Sequence, residues 1–115
     1  MADAARTETG RDARRTPPPR YREFSDRRAG MIHAMEGGLW LHRHVWKGRP
    51  MAHLVSVDRA LLLDYGRSVG LHADRLQFKP LKDPRSGVRR DAWHWDLLGA
   101  FLPPRPTLGA PSGER

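Results

Sequence analysis

A single small α/β domain, with a short few-stranded sheet packed against one main helix at about 57–69, is the fold class this sequence predicts. Three observations point there. Leu39-Trp40-Leu41-His42-Arg43-His44-Val45-Trp46 alternates with the period of a strand. Val57, Leu61, Leu62, Tyr65 and Val69 recur at helical spacing. A second aromatic alternation, Trp93-His94-Trp95, follows a turn-rich stretch. At 115 residues the chain has room for one domain and not two. All but one of its Val, Ile, Leu and Phe residues fall between Met31 and Leu108. The folded unit is therefore expected over 31–108, between disordered tails at 1–30 and 109–115.

The elements follow in order. Residues 1–30 mix Arg, Asp, Thr and Glu without apolar periodicity, and Pro17-Pro18-Pro19 favours a short polyproline II stretch. Arg14, Arg15, Arg20, Arg22, Arg27 and Arg28 would make this tail an arm for an anionic partner. A solvated extension, or a start codon placed upstream of the true one at Met31 or Met35, accounts for it equally well. The first strand puts Leu39, Leu41, Arg43 and Val45 on one face and Trp40, His42, His44 and Trp46 on the other. Lys47-Gly48-Arg49-Pro50 is a turn.

After the apolar run Met51–Val55, Ser56 stands as the expected N-cap of the helix and Asp58 lies in its positive first turn. Gly70 is the expected left-handed exit, with Leu71 as the apolar residue after it. Gly66 weakens the helix by about 1 kcal/mol relative to Ala, which predicts a close packing neighbour there. Leu76-Gln77-Phe78 reads as a short strand ended by Pro80, and Asp83-Pro84-Arg85-Ser86-Gly87 as a turn. Residues 91–98 read as another strand or a strand leading into a short turn, and Pro103, Pro104 and Pro106 end regular structure.

Composition excludes several classes of function. No apolar run approaches the ~20 residues of a membrane span, and no signal-peptide apolar region opens the chain. Without cysteine there is no disulfide framework, thiol chemistry or Cys-ligated zinc, and the expected setting is the cytoplasm. Basic residues outnumber acidic ones by 21 to 13, a net +8, which attracts phosphate-bearing partners. All but three of the 21 are Arg, a bias that a GC-rich genome also produces. No Gly-rich phosphate loop, nucleophile elbow or zinc-finger spacing occurs.

The histidines carry the remaining chemistry. His42 and His44 share a strand face about 7 Å apart, a spacing from which two imidazoles reach one divalent metal. Zinc needs a third ligand, so a strand face packed at a rim explains the pair more simply. His53, His94 and Asp96 would converge, as catalytic groups or ligands, if the late strand returns beside the first at the edge where loops leave the sheet. Hydrogen-bonded structural histidines are the plainer alternative. Trp40, Trp46, Trp93 and Trp95 supply core area in a domain short of aliphatics. Trp93 and Trp95 could instead stack a base beside Arg49, Arg89 and Arg90.

The order His53-Leu54-Val55-Ser56, a helix closing in Gly70-Leu71, Phe78, then His94-Trp95-Asp96 resembles the small bacterial family called domain of unknown function 4031. The resemblance covers roughly 40–98, about half the chain. It matches His53 and Ser56 to that family's "His-Leu-hydrophobic-Ser" step, and His94 and Asp96 to its late "His-Tyr-Asp", with Trp95 in place of tyrosine. Two positions depart from the pattern. Arg43 and His44 stand where family members often carry acidic residues, and the prolines after Leu97-Leu98-Gly99-Ala100 leave the final helix short or absent. The family has no assigned activity, so the resemblance implies a fold and a residue set but no reaction.

Three functions remain as expectations. The first is a module that binds a nucleotide or nucleic acid through Arg49, Arg89, Arg90, Trp93 and Trp95. The second is a metal- or His-dependent phosphoester hydrolase using His53, His94 and Asp96, for which the sequence lacks the dense carboxylates of magnesium nucleases. The third is an accessory protein-interaction domain whose tails recruit a partner.

Overall fold

The computed structural model describes residues 19–105. Strand β1 (Tyr21–Glu23) leads into helix α1 (Arg27–Met35), followed by β2 (Leu39–Trp46), β3 (Arg49–Ser56) and helix α2 (Arg59–Val69). The short strands β4 (Gln77–Phe78), β5 (Leu81–Lys82) and β6 (Arg89–Arg90) precede β7 (Trp93–Leu97). Five strands form one sheet in the order β1-β2-β3-β7-β4, with β1 parallel to β2 and every other pair antiparallel. β5 and β6 form a separate two-stranded sheet. No helix among the described residues is long and apolar enough to cross a membrane.

The alternation along β2 divides the core in two. Leu39 and Leu41 face Ala52, Leu54, Trp95 and Leu97, and this surface is covered by Leu62 and Tyr65 of α2. Trp40 faces the opposite way and packs with Val55 against Met31, Ala34 and Met35 of α1. Each helix rests on a tryptophan through a glycine. A Cβ on Gly30 would overlap the Trp40 indole, and one on Gly66 would overlap Trp95, the close neighbour expected at that position. Both indoles are anchored by their N–H groups: Trp40 Nε1 donates to the Phe24 carbonyl at 3.2 Å and Trp95 Nε1 to the Leu62 carbonyl at 2.8 Å.

The β2–β3 turn is tighter than the sequence suggests. Lys47 and Gly48 alone form it, both with left-handed φ (52° and 76°), as a two-residue hairpin of matching twist requires. Arg49 and Pro50 already belong to β3. The turn centred on Asp83–Gly87 is as expected, and it brings β5 and β6 together.

Three expectations need correction. The folded unit does not begin at residue 31. β1 and α1 start inside the segment read as a disordered tail, and residues 1–18 and 106–115 lie outside the described residues. A tally of Val, Ile, Leu and Phe misses α1 because Gly30, Met31, Ala34 and Met35 do its burying. Both methionines considered as start sites lie inside this helix, so a chain beginning at either would lack β1 and the Asp26 side chain that caps Ala29 N–H at 3.1 Å. Second, α2 is not the only substantial helix, since α1 covers the other face of the sheet.

The third correction concerns the corner before α2. Ser56 is the last residue of β3 and not the helix cap. Asp58 is the cap, accepting the Leu61 N–H at 3.0 Å, while the buried Ser56 hydroxyl oxygen accepts the Asp58 N–H at 2.9 Å. The strand runs further than local propensity indicates because β7 pairs with β3 as far as Ser56. The exit is as expected: Gly70 has φ 88°, and the Leu71 N–H reaches the Gly66 carbonyl at 2.8 Å.

Candidate functional site

β2, β3 and β7 are neighbours, and side chains at alternate positions on each point to one face. That face carries His42 and His44 from β2, His53 from β3, and His94 and Asp96 from β7. His53 and Asp96 are direct cross-strand partners, and His94 pairs with Val55 one step along. The three residues expected to converge do so. They meet in the middle of a sheet face and not at its loop-bearing edge, because the late strand returns beside β3 instead of the first strand.

His53 Nδ1 lies 2.8 Å from Asp96 Oδ1, and His94 Nδ1 lies 3.1 Å from the same oxygen. Gln77 Nε2 donates to the other oxygen, Oδ2, at 2.9 Å. The second ring nitrogen of His53, Nε2, is 2.9 Å from His44 Nε2. If the Asp96 carboxylate accepts the proton of His53 Nδ1, His53 Nε2 is the acceptor and His44 the donor. His94 is 13% exposed, and its Nδ1 is buried without an aligned hydrogen bond despite the nearby carboxylate. One donor atom from each of His53, His94 and Asp96 lies within 4.8 Å of the others, so these three could hold a metal ion.

Burial is the main influence pushing the His53 imidazole below its ordinary pKa; Asp96 opposes it, and His94 and His44 add to it. Burial likewise lowers His42, reinforced by His44 and Arg27. Neutral rings, with a lone pair for a proton or a metal, are therefore favoured at neutral pH.

His42, His53 and His94 line a cleft of about 340 Å³. Arg27 at the start of α1 and Lys79 just after β4 supply its positive charge, and neither has an ion-pair partner among the described residues. Trp93, Leu81, Met31 and Val55 give it apolar walls. No protein-family model, curated protein or solved structure matched the chain.

That geometry corrects the other proposed residues. His42 and His44 do not belong to the three-donor group; they continue it as a stack of rings, with centroids 6.0 Å apart between them and 4.6 Å from His44 to His53. Trp95 cannot stack a base, since it is 1% exposed at the centre of the α2 side of the core. Trp93 does line the cleft. Arg49 is at the turn end of β3, opposite Trp46, about 20 Å along the strand from the end that faces α1. Arg89 and Arg90 are in β6, and Arg90 Nη1 donates to the Met35 carbonyl at 2.8 Å, closing the end of α1. The three arginines do not form one patch.

Lys79 and Gln77 were missed in the sequence, and Arg27 was expected only as part of an arm for an anionic partner. Arg27 lay in a segment read as tail, and no local pattern marks the pairing of Gln77 with His94 that carries Gln77 to Asp96.

Proposed function

We propose that the protein is a small phosphoester hydrolase, which binds a phosphate-bearing small molecule in this cleft and activates water at His53, His94 and Asp96. The observation that carries it is the meeting of a carboxylate-held imidazole with a second imidazole on the floor of a cleft whose cations are Arg27 and Lys79. Arg27 and Lys79 are suited to neutralise the phosphate, and Trp93 and Leu81 to cover the organic part of the ester. Asp96, steadied by Gln77, fixes the orientation of His53, as a carboxylate does for a catalytic or ligating histidine. The ligand class is that of the basic-patch expectation, with a different pair of cations. On the motif order we also propose membership of the domain of unknown function 4031 family, whose step and late motif fall on these same three residues.

The test is turnover of p-nitrophenyl phosphate and bis(p-nitrophenyl) phosphate by purified full-length protein. Turnover is expected, with His94→Ala lowering kcat at least 100-fold and Arg27→Ala with Lys79→Ala raising KM. Binding of phosphate esters in the cleft without turnover would overturn hydrolysis and leave a binding domain. Turnover that survives His94→Ala and Asp96→Asn would place the chemistry elsewhere.

A further inference from the structure

His94 Nδ1 poses a problem of pairing. It is buried, it is 3.1 Å from a carboxylate oxygen, and it makes no aligned hydrogen bond to it. If Nδ1 is unprotonated, its lone pair confronts the lone pairs of Asp96 Oδ1, an arrangement that a cation between them relieves. The same oxygen is already approached by His53 Nδ1. Two imidazole nitrogens and one carboxylate oxygen thus crowd a single small volume.

We propose that His53, His94 and Asp96 bind one divalent transition-metal ion of the zinc class. The inference deepens the phosphoester reading by naming its cofactor, and it rests on that reading only for the role of the ion. The donor types decide the class of metal. Imidazole suits zinc, cobalt, nickel or copper, whereas magnesium and calcium prefer all-oxygen sites. Ligands of a tetrahedral zinc site stand about 3.3 Å apart for bonds near 2.0 Å. The observed 2.8 and 3.1 Å contacts need only a slight opening to reach that spacing.

The surroundings hold the donors as metal ligands are usually held. Asp96 has its second oxygen fixed by Gln77 Nε2, which leaves Oδ1 for the ion. His53 Nε2 lies 2.9 Å from His44 Nε2, so with an ion bound the His53 proton would sit on Nε2 and donate to His44, freeing at Nδ1 the lone pair that is absent while Nδ1–H bonds to Asp96. Such partners set ring orientation and ligand basicity. Three protein ligands would leave a fourth position for water, as in hydrolytic zinc sites, and the chemistry an ion held there would supply is a lowered pKa for that water.

The experiment is titration of the untagged, chelator-treated full chain with Zn²⁺ by calorimetry and with Co²⁺ by visible absorption. One equivalent per chain is expected, with the intense d–d bands of a four-coordinate cobalt site. Asp96→Asn and His94→Ala should each weaken binding more than 10-fold, and Gln77→Ala should weaken it 10- to 100-fold through Asp96. His72→Ala, at an exposed histidine outside the cleft, should leave affinity unchanged. Circular dichroism melts of each variant separate lost binding from lost folding, and Asp96→Asn, which keeps the side-chain shape, decides the matter if His94→Ala fails to fold. No binding up to millimolar metal, or one-to-one binding undiminished in Asp96→Asn, overturns the proposal. Metal binding without phosphoester turnover overturns the hydrolase reading and leaves the metal site standing, and turnover by rigorously metal-free protein leaves the hydrolase reading standing and overturns the ion's part in it.

Discussion

Gly66 is held against the face of Trp95 with no room for a methyl group between them. Two effects oppose each other on substituting alanine there. Helix propensity favours Ala by about 1 kcal/mol. Overpacking disfavours it by about 1–3 kcal/mol, toward the upper end where the neighbour cannot yield. Trp95 cannot yield readily, being 1% exposed and tied by Nε1 to the Leu62 carbonyl. Gly66→Ala should therefore lower stability by at least about 1 kcal/mol in urea denaturation, against the helix propensity scale. An unchanged or higher midpoint would show that the indole moves aside. The neighbouring corner divides its roles between two side chains, with Asp58 capping the helix and Ser56 fixing the cap.

At the level of elements, the β5–β6 hairpin is fastened to α1 by arginines. Asp83 accepts hydrogen bonds from Arg85 backbone N–H at 2.9 Å, Nε at 3.1 Å and Nη2 at 2.9 Å. Arg85 Nη1 also reaches Glu36 Oε2 at 2.9 Å, at the end of α1, and Arg28 Nη1 reaches the Pro84 carbonyl at 3.4 Å. The Arg85 side chain and backbone N–H hold the Asp83 carboxyl down at about 2, against an ordinary value of 3.8. Because the folded pKa lies below the unfolded one, the linked stability is fully present above about pH 4 and is lost as pH falls toward 2. Melting temperatures of the parent and Asp83→Asn should differ at pH 5 and converge as pH falls through 2. A constant difference across that range would mean that Asp83 acts through packing and not through its charge. Arg85 and Arg90 thus tie this basic segment to the end of α1.

For the whole molecule, a layer of helix on each face of the sheet makes the first described residues indispensable. Removing 1–30 would delete β1, the Asp26 cap, the first four residues of α1 and the cleft cation Arg27. It would also expose Trp40 and Val55, buried now beneath α1. A chain beginning at Met31 should lose its cooperative thermal transition by circular dichroism, and a retained transition would return the domain boundary to residue 31. What the sequence determined by itself was local: α2 to within two residues at its start, the two faces of β2, the exit at Gly70 and the packing demand at Gly66. Periodicity and glycine geometry act over a few residues and can be read without knowing the neighbours. The convergence of His53, His94 and Asp96 could be stated only as a conditional. The condition is the pairing of β3 with β7, which brings His53 opposite Asp96 across 43 positions of chain. Whether Trp93 or Trp95 lines a cleft, which cations stand beside the imidazoles, and where Gln77 reaches were likewise decided by tertiary pairing, since strand order and register depend on burial summed over the entire sheet.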